Sequence, residues 1–555
     1  MAHQWIVKRL GWIIGGLSAS LVLAPVLASQ TSSRISSVGE TGIEARKLQN
    51  SPYNLTGRKI AIGQVEIGRP GVFGFDKAVS WNPATAIERV FYRNGPAKAN
   101  TDVDTHAGMV ASVMVSKDKR LPGVAPGARL YSSAVGSPAK GGQPEECLSA
   151  QFVAQQNGGD IRAINFSFGE PLQRDPRPDA MLDGNALLTQ CIDWLSRVNN
   201  VLFVIAGNQG EGGIPIPTDN YNAINVAYTT QRQGVFNKVD FPNLSSAPSG
   251  IGRRLIEREI NVGSRRSINL VAPGSKIPVY DLKGKVEEVS GTSFAAPHIT
   301  ASVALLQEFS DSRLRGGAVR EASGQGVGNR QLQSKQANWT TDSRRHEVMK
   351  AVLLNSADKI KDNGDGLLLG MTRTILGKDN LSWLDSDAYK DPKIPLDIQM
   401  GTGQLNAFRA YQQFSPGQWK PTDSVPPIGW DYGNVEVSSF KDYVLEKPLK
   451  EESFVSLTLA WDRLVELQQP TKTDYEVGDS FRDRGLNNLT LYLMPVDEDN
   501  TSKSACASIS EVDSVQHIFC QVPGAGRYKI RVQYSKQVNE ASQPYALAWW
   551  TVPKK

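Results

Sequence analysis

At 555 residues, and with roughly 100–200 residues per domain, the chain has room for several domains and a large buried core. It is 40% hydrophobic and 21% charged with 50 Gly and 31 Pro, which excludes collagen, long coiled coil and wholesale disorder. A balance of 61 basic against 56 acidic residues, formally +5, is too even to point to a nucleic-acid partner, and five histidines leave little room for a His-rich metal site.

Lys8 and Arg9 precede an apolar stretch, Leu10–Leu23, and Val26-Leu27-Ala28 supplies small residues at the −3 and −1 positions. This is the pattern of a secretory signal peptide over residues 1–28, with cleavage expected after Ala28 and a secreted or periplasmic product. The alternative, an uncleaved anchor, is weakened as a membrane helix by Gly15, Gly16, Ser18, Ser20 and Pro25. No later segment approaches the roughly 18 apolar residues that a span needs. Residues 29–50 read as a short N-terminal extension.

From residue 51 to 414, brief β-branched runs alternate with helix-length segments. Lys59–Val65, Arg129–Val135, Ile161–Ser167, Val201–Ala206, Ala223–Tyr228 and Ser267–Val271 read as buried strands. Ala107–Met114, Ala180–Val198 and Ser293–Glu308 read as helices. Alternation of this kind predicts an α/β fold, a parallel sheet with helices on both faces. Residues 311–345, rich in Gly, Gln, Ser and Arg, are expected as a flexible insertion. The Pro-rich stretch 415–427 reads as a linker. Beyond it Ser453–Ala460, Leu489–Met494, Val515–Val522 and Tyr528–Val532 alternate apolar and polar residues without helices, so residues 428–555 are expected to form an antiparallel β-sandwich.

Four cysteines allow three pairings, and an exported chain permits them. Local bridges, Cys147 with Cys191 and Cys506 with Cys520, stay within one predicted domain each; four buried thiols are the alternative.

The chemistry starts at Ser293, in GTSFAAPH (291–298). Small residues flank the hydroxyl and an apolar helix follows, so backbone N–H groups at the helix start favour negative charge nearby. This octapeptide resembles the serine motif of the subtilisin-like serine proteases, the subtilases. Asp104–Ser112 (DTHAGMVAS) resembles the family's histidine motif, with His106 as the base that a weakly nucleophilic hydroxyl requires. The order acid, His, Ser is the order of subtilisin.

The acid position departs from the family. Asn54–Gly68 (NLTGRKIAIGQVEIG) resembles the opening strand that normally ends in Asp. One register puts Glu66 there and a second puts Gln64; Glu66 is preferred because only a carboxylate can orient the imidazole and stabilise its cation. Asp102 and Asp104 are fallback acids, with a helix-start role expected for them. The altered acid also leaves open a catalytically impaired, subtilase-like scaffold or binding protein.

By the same resemblance Val204–Gly210 (VIAGNQG) makes Asn208 the side-chain donor to the oxyanion. Asn165–Gly169 (NFSFG) matches the segment against which subtilases align the substrate backbone as an added strand. Ser167, Phe168 and Gly169, with Ala206 and Gly207, would wall the first specificity pocket, which implies apolar or uncharged side chains there. The implied activity is a serine endopeptidase acting on proteins or peptides, with no nucleic-acid partner and no cofactor required. No His pair has zinc spacing. Asp362–Gly366 (DNGDG) offers oxygens to a structural calcium but reads better as a turn.

Overall fold

The computed structural model describes residues 37–136, 142–207, 216–232, 234–239, 261–262, 264–322, 338–422, 424–469 and 471–554. The expected signal peptide, residues 29–36 of the extension and Asn208 lie outside the described residues. Residues 37–49 are built into the core: Val38, Ile43 and Leu48 are fully buried, the last on helix α1 (Ala45–Gln49).

The sheet that carries the site collects strands β1 (Ala61–Glu66), β2 (Ile87–Tyr92), β3 (Gly95–Pro96), β4 (Arg129–Ala134), β5 (Ile161–Phe166), β6 (Leu202–Ala206), β7 (Ile224–Arg232), β8 (Val235–Val239), β9 (Leu270–Pro273) and, later in the chain, β12 (Thr374–Leu376). The hairpin of β10 (Ile277–Tyr280) and β11 (Val286–Val289) precedes Ser293. Spatially the order is β12-β8-β7-β6-β5-β1-β4-β2-β3, with β9 also on β7. The central pairs are parallel; β7 with β8 and β2 with β3 are antiparallel.

Strands such as β6 are buried on both faces, so they read as continuous apolar runs. Leu202, Val204 and Ala206 join one core and Phe203 and Ile205 the other, the two-residue alternation of a strand. Helices α2 (Thr105–Val115), α5 (Thr292–Ala322) and α6 (His346–Asn355) contribute to the first core; α3 (Gln143–Ala154) and α4 (Leu187–Asn199), joined by the Cys147–Cys191 bridge, contribute to the second. The local pairing holds at Cys506–Cys520 too.

Helix α5 corrects one expectation. Residues 311–322 continue the helix of Ser293 rather than opening a loop. Asp311 is mostly buried and pairs with Arg162 and Arg344, and Arg313 lies over the Phe309 ring, so helix-forming residues outweighed a Gly-rich average. Trp339 packs against Phe309, Phe414 and Trp430. Residues 323–337 of that expected insertion are outside the described residues.

After helix α7 (Ala407–Phe414) the chain is all β. Strands β13 (Ile428–Glu436), β14 (Phe440–Val444), β15 (Phe454–Ala460), the β16–β17 hairpin (Leu464–Leu467, Phe481–Gly485), β18 (Asn488–Pro495), β19 (Cys506–Ser508), β20 (Val515–Gln521), β21 (Tyr528–Lys536) and β22 (Ser542–Trp550) follow in turn. Two antiparallel sheets, β13-β22-β15-β20 and β14-β21-β18-β19, enclose a core that includes Leu457, Leu491, Val532 and Trp549. The other face of the first sheet is buried as well: Ala460, Ala546 and Ala548 join the first core, and among them Ser456 and Thr458 donate to Asn355 Oδ1 of α6, each at 3.0 Å.

Candidate active site

Strand β1 delivers Glu66 to its C-terminal end with the side chain 2% exposed, and Oε2 lies 3.4 Å from Nδ1 of His106. His106 is the second residue of α2, which starts there because Asp104 caps it, accepting the Ala107 N–H at 2.9 Å. Asp104 thus takes the helix-start role expected of it. In the rival register Gln64 Nε2 donates to the carbonyl of Ala107 at 3.0 Å, so this amide is bound to backbone and Glu66 is the carboxylate that meets the ring.

Burying a carboxylate is costly unless a cation or donor faces it. Glu66 Oε1 has no hydrogen-bond partner among the described residues, so the His106 ring is the polar group set against this acid. Burial of His106 works against its cation, but the Glu66 carboxylate and then the charge of Asp104 outweigh it and raise the imidazole above its ordinary pKa. At 3.4 Å the pair is looser than an ideal hydrogen bond.

Ser293 is the second residue of α5 and 3% exposed. Gly291, at φ 150°, makes the turn from β11, and its N–H donates to Gly274 at 2.8 Å. Ser293 and Ser167 are tied both ways: the Ser293 hydroxyl donates to the Ser167 carbonyl at 3.3 Å, and the Ser167 hydroxyl to the Ser293 carbonyl at 3.1 Å. The ring of the next residue, Phe294, lies 5.6 Å from that of His106. Glu66, His106 and Ser293, from three distant stretches of sequence, are therefore brought to one region.

Of the expected pocket residues, Ser167 and Gly169 follow β5, and Ala206 and Gly207 stand at the buried end of β6. Phe168 differs. It is 7% exposed and its ring stacks on that of Phe166 at 5.1 Å, so the side chain belongs to the core.

Sequence reasoning missed Glu170, next to Gly169. It is 2% exposed, exchanges both backbone hydrogen bonds with Ile216 at 2.9 Å and receives Arg174 Nη1 at 3.3 Å. Burial, and then Glu170 itself, pushes the neighbouring Glu146 carboxyl well above the carboxylate range. The only cue in the sequence was an acid directly after the NFSFG segment.

Neither metal candidate looks like an ion cage. Asp362 spends both oxygens on four backbone N–H groups, from Gly364, Gly366, Leu368 and Gly370, at 2.7–3.1 Å, as in a turn. His346, Glu347 and Asp462 cluster, but acceptors at 3.0–3.2 Å lie against both ring nitrogens, the setting of an imidazolium.

The family model described as the Subtilase family matches residues 37–371. Subtilisin DY of Bacillus licheniformis is 24% identical over 266 residues, 48% of this chain and 81% of that protein. The major intracellular serine protease of Bacillus subtilis (strain 168) is 26% identical over 224 residues, 39% of this chain and 59% of its own length. The self-cleaved protease domain of PatA aligns with TM-score 0.38 and 20% identity over 66% of this chain and 100% of that one. The family match, spanning more than half of the sequence, shows that this chain belongs to the subtilase family.

Proposed function

We propose that the protein is an exported serine endopeptidase in which Ser293 is the nucleophile, His106 the general base and acid, and Glu66 the acid that orients the ring. The observation that carries this reading is the buried Glu66 carboxylate facing Nδ1 of a partly exposed His106 beside the start of α5. With Nδ1 committed to Glu66, Nε2 takes the hydroxyl proton of Ser293 as Oγ attacks the scissile carbonyl. The Ser293 N–H and the Asn208 side chain receive the oxyanion; such a side-chain donor is worth about 10²–10³ in rate in subtilisin, where it was measured. His106 then hands the proton to the leaving amine, and water releases the acyl group by the same route in reverse. Two disulfides among the described residues suit an oxidising compartment.

A fluorophosphonate probe is expected to label the wild-type protein at Ser293 and to leave Ser293→Ala unlabelled; an unlabelled wild type would favour the scaffold reading. Glu66→Gln is expected to lower kcat by about 10⁴-fold, the loss seen when the equivalent acid of another triad is made an amide, whereas Asp104→Asn retains most of it. The neutral imidazole is the active form and Glu66 raises its pKa, so the acid limb of the pH–rate profile should move to lower pH in Glu66→Gln.

A further inference from the structure

Between Glu66 and strand β2 the chain forms a loop that the proposed chemistry does not use. Its base is rigid. Arg69 is fully buried and pairs with Asp76 through two bonds of 2.7 Å, while Asp76 also accepts the N–H groups of Val72 and Asn100 at 2.8 Å. Upon this base three rings face solvent: Phe73 is 59% exposed, Phe75 41% and Trp81 52%. Among the described residues the one other exposed Phe or Trp is Phe440, and the Arg531 guanidinium sits 3.8 Å over its ring. Three exposed rings on one braced loop, that of Phe75 resting with the Arg69 guanidinium 5.6 Å from its centre, mark a contact surface rather than scattered surface residues.

The loop is strapped to the segment that bears His106. Arg69 N–H donates to Asp102 at 2.8 Å, Asp104 N–H donates back to Arg69 at 2.9 Å, and a Cβ on Gly68 would stand 2.4 Å from that of Asp104. On its other side Trp81 N–H donates to Leu282 at 2.7 Å, in the turn between β10 and β11. A Cβ on Gly71 or Gly108 would lie 2.9 or 3.4 Å from the Leu282 side chain. The rings therefore stand on a rim between the hairpin that leads to Ser293 and the first turns of α2.

Direction follows from the proton. A substrate laid along Ser167–Gly169 presents its acyl side to the β5–β6 edge. The departing amine is the group that His106 must protonate, so the rest of the substrate leaves on the His106 side. Resting on the peptidase reading, we infer that Phe73, Phe75 and Trp81 bind apolar side chains on the C-terminal side of the scissile bond and so select polypeptides that carry them there.

The test compares the full chain with a Phe73→Ser, Phe75→Ser, Trp81→Ser variant on two substrates sharing the same acyl-side residues. One is a coumarin amide with no residue after the scissile bond; the other is an internally quenched peptide with Leu and Phe there. The ratio of kcat/KM, peptide over amide, is expected to fall about 30-fold in the triple variant and about threefold in Phe73→Ser alone, in proportion to the apolar area removed. Phe440→Ser should leave the ratio where it was. A ratio unmoved in the triple variant overturns the inference, whether or not the rings then prove to bind phosphatidylcholine vesicles or a second copy of the chain; so does an equal fall on both substrates. A wild-type protein inert on both would overturn the peptidase reading and this inference with it.

Discussion

Two histidines in this molecule each face a buried carboxylate, in opposite settings. His106 has a side chain 40% exposed, one carboxylate at Nδ1 and, among the described residues, no hydrogen-bond partner at Nε2. His346, at the start of α6, has none of its side chain exposed. Its Nδ1 faces Asn200 Oδ1 at 3.2 Å and Glu347 Oε2 at 3.1 Å, while its Nε2 faces Asp462 at 3.0 Å. A ring with one nitrogen committed and the other exposed can pass a proton; a ring with acceptors on both sides can only keep it. A nearby carboxylate is common to both, so what separates a base from a structural cation is the second nitrogen.

The sharpest way to break that contrast is His106→Ala. It should lower kcat at least about 10⁴-fold, because the triad acts as a unit. In a Glu66→Gln background, where no buried carboxylate is stranded, the same change should move stability by less than about 1 kcal/mol, because the side chain is partly solvated. Urea unfolding checks the second outcome, and a Ser293→Ala background prevents self-digestion from obscuring it. A stability loss as large as that at a buried ion pair would mean that His106 is structural too.

Arg463 belongs to the opposite class. It leaves the sandwich between β15 and β16 with its side chain 2% exposed and enters the peptidase part, where its guanidinium meets Asp193 at 2.8 Å, donates to Gly184 O at 2.8 Å and lies over the Tyr221 ring at 4.5 Å. Beside it Val465, Leu467, Tyr475 and Phe481 of the β16–β17 region complete the core under α3 and α4. Gln151 and Tyr475 exchange hydrogen bonds of 3.1 and 2.6 Å. Arg463→Ala should cost about 3–5 kcal/mol, since it removes the cation paired with the buried Asp193 and leaves that carboxylate the backbone N–H groups of Tyr221 and Asn222. The labelling efficiency of the remaining folded protein should hold, and loss of labelling at full stability would place Arg463 on the catalytic side of the comparison.

This division also explains what the sequence could and could not reveal. Ser293 and His106 are legible because the chemistry needs small residues and a helix start directly around each, and β1, β5 and β6 are legible because strands buried on both faces are short apolar runs. The disulfides are legible because both pairings are local. Helix α3 hides its period, since Gln143, Glu146 and Gln151 are polar yet buried. Strand β13 hides for the same reason: Asp431 is buried and takes hydrogen bonds from Gln418 and Tyr443. Arg463, His346 and Asp462 carry no local mark, because their partners lie elsewhere in the chain and only the docked sandwich brings them together.

The smallest expected effect tests whether His346 keeps its proton as a structural cation. Burial pushes the ring toward neutrality, yet the charges of Asp462 and then Glu347 outweigh it, despite Arg345 alongside, and its pKa is raised. A base with a folded pKa above its unfolded value of about 6.5 contributes fully below that pH, and the contribution fades as pH rises through the folded value. Stability in the Ser293→Ala background should therefore decline as pH rises from about 6.5, and Asp462→Asn should flatten the decline. Two neighbours bound the window. Glu347 is opposed by its own burial but held below its ordinary range by His346 and Arg345, so its contribution is lost only at acid pH. Lys350, pushed down to about 8 by burial while donating to the Tyr221 carbonyl at 2.6 Å, adds stability as pH rises above that value and so works in the opposite sense there. His106, whose pKa is also raised, adds a decline of the same sign between pH 6.5 and 8, so the part of the slope that Asp462→Asn removes is the part that reports His346. A slope that Asp462→Asn leaves unchanged would show that the decline comes from other groups and that the junction does not hold its ring as a cation.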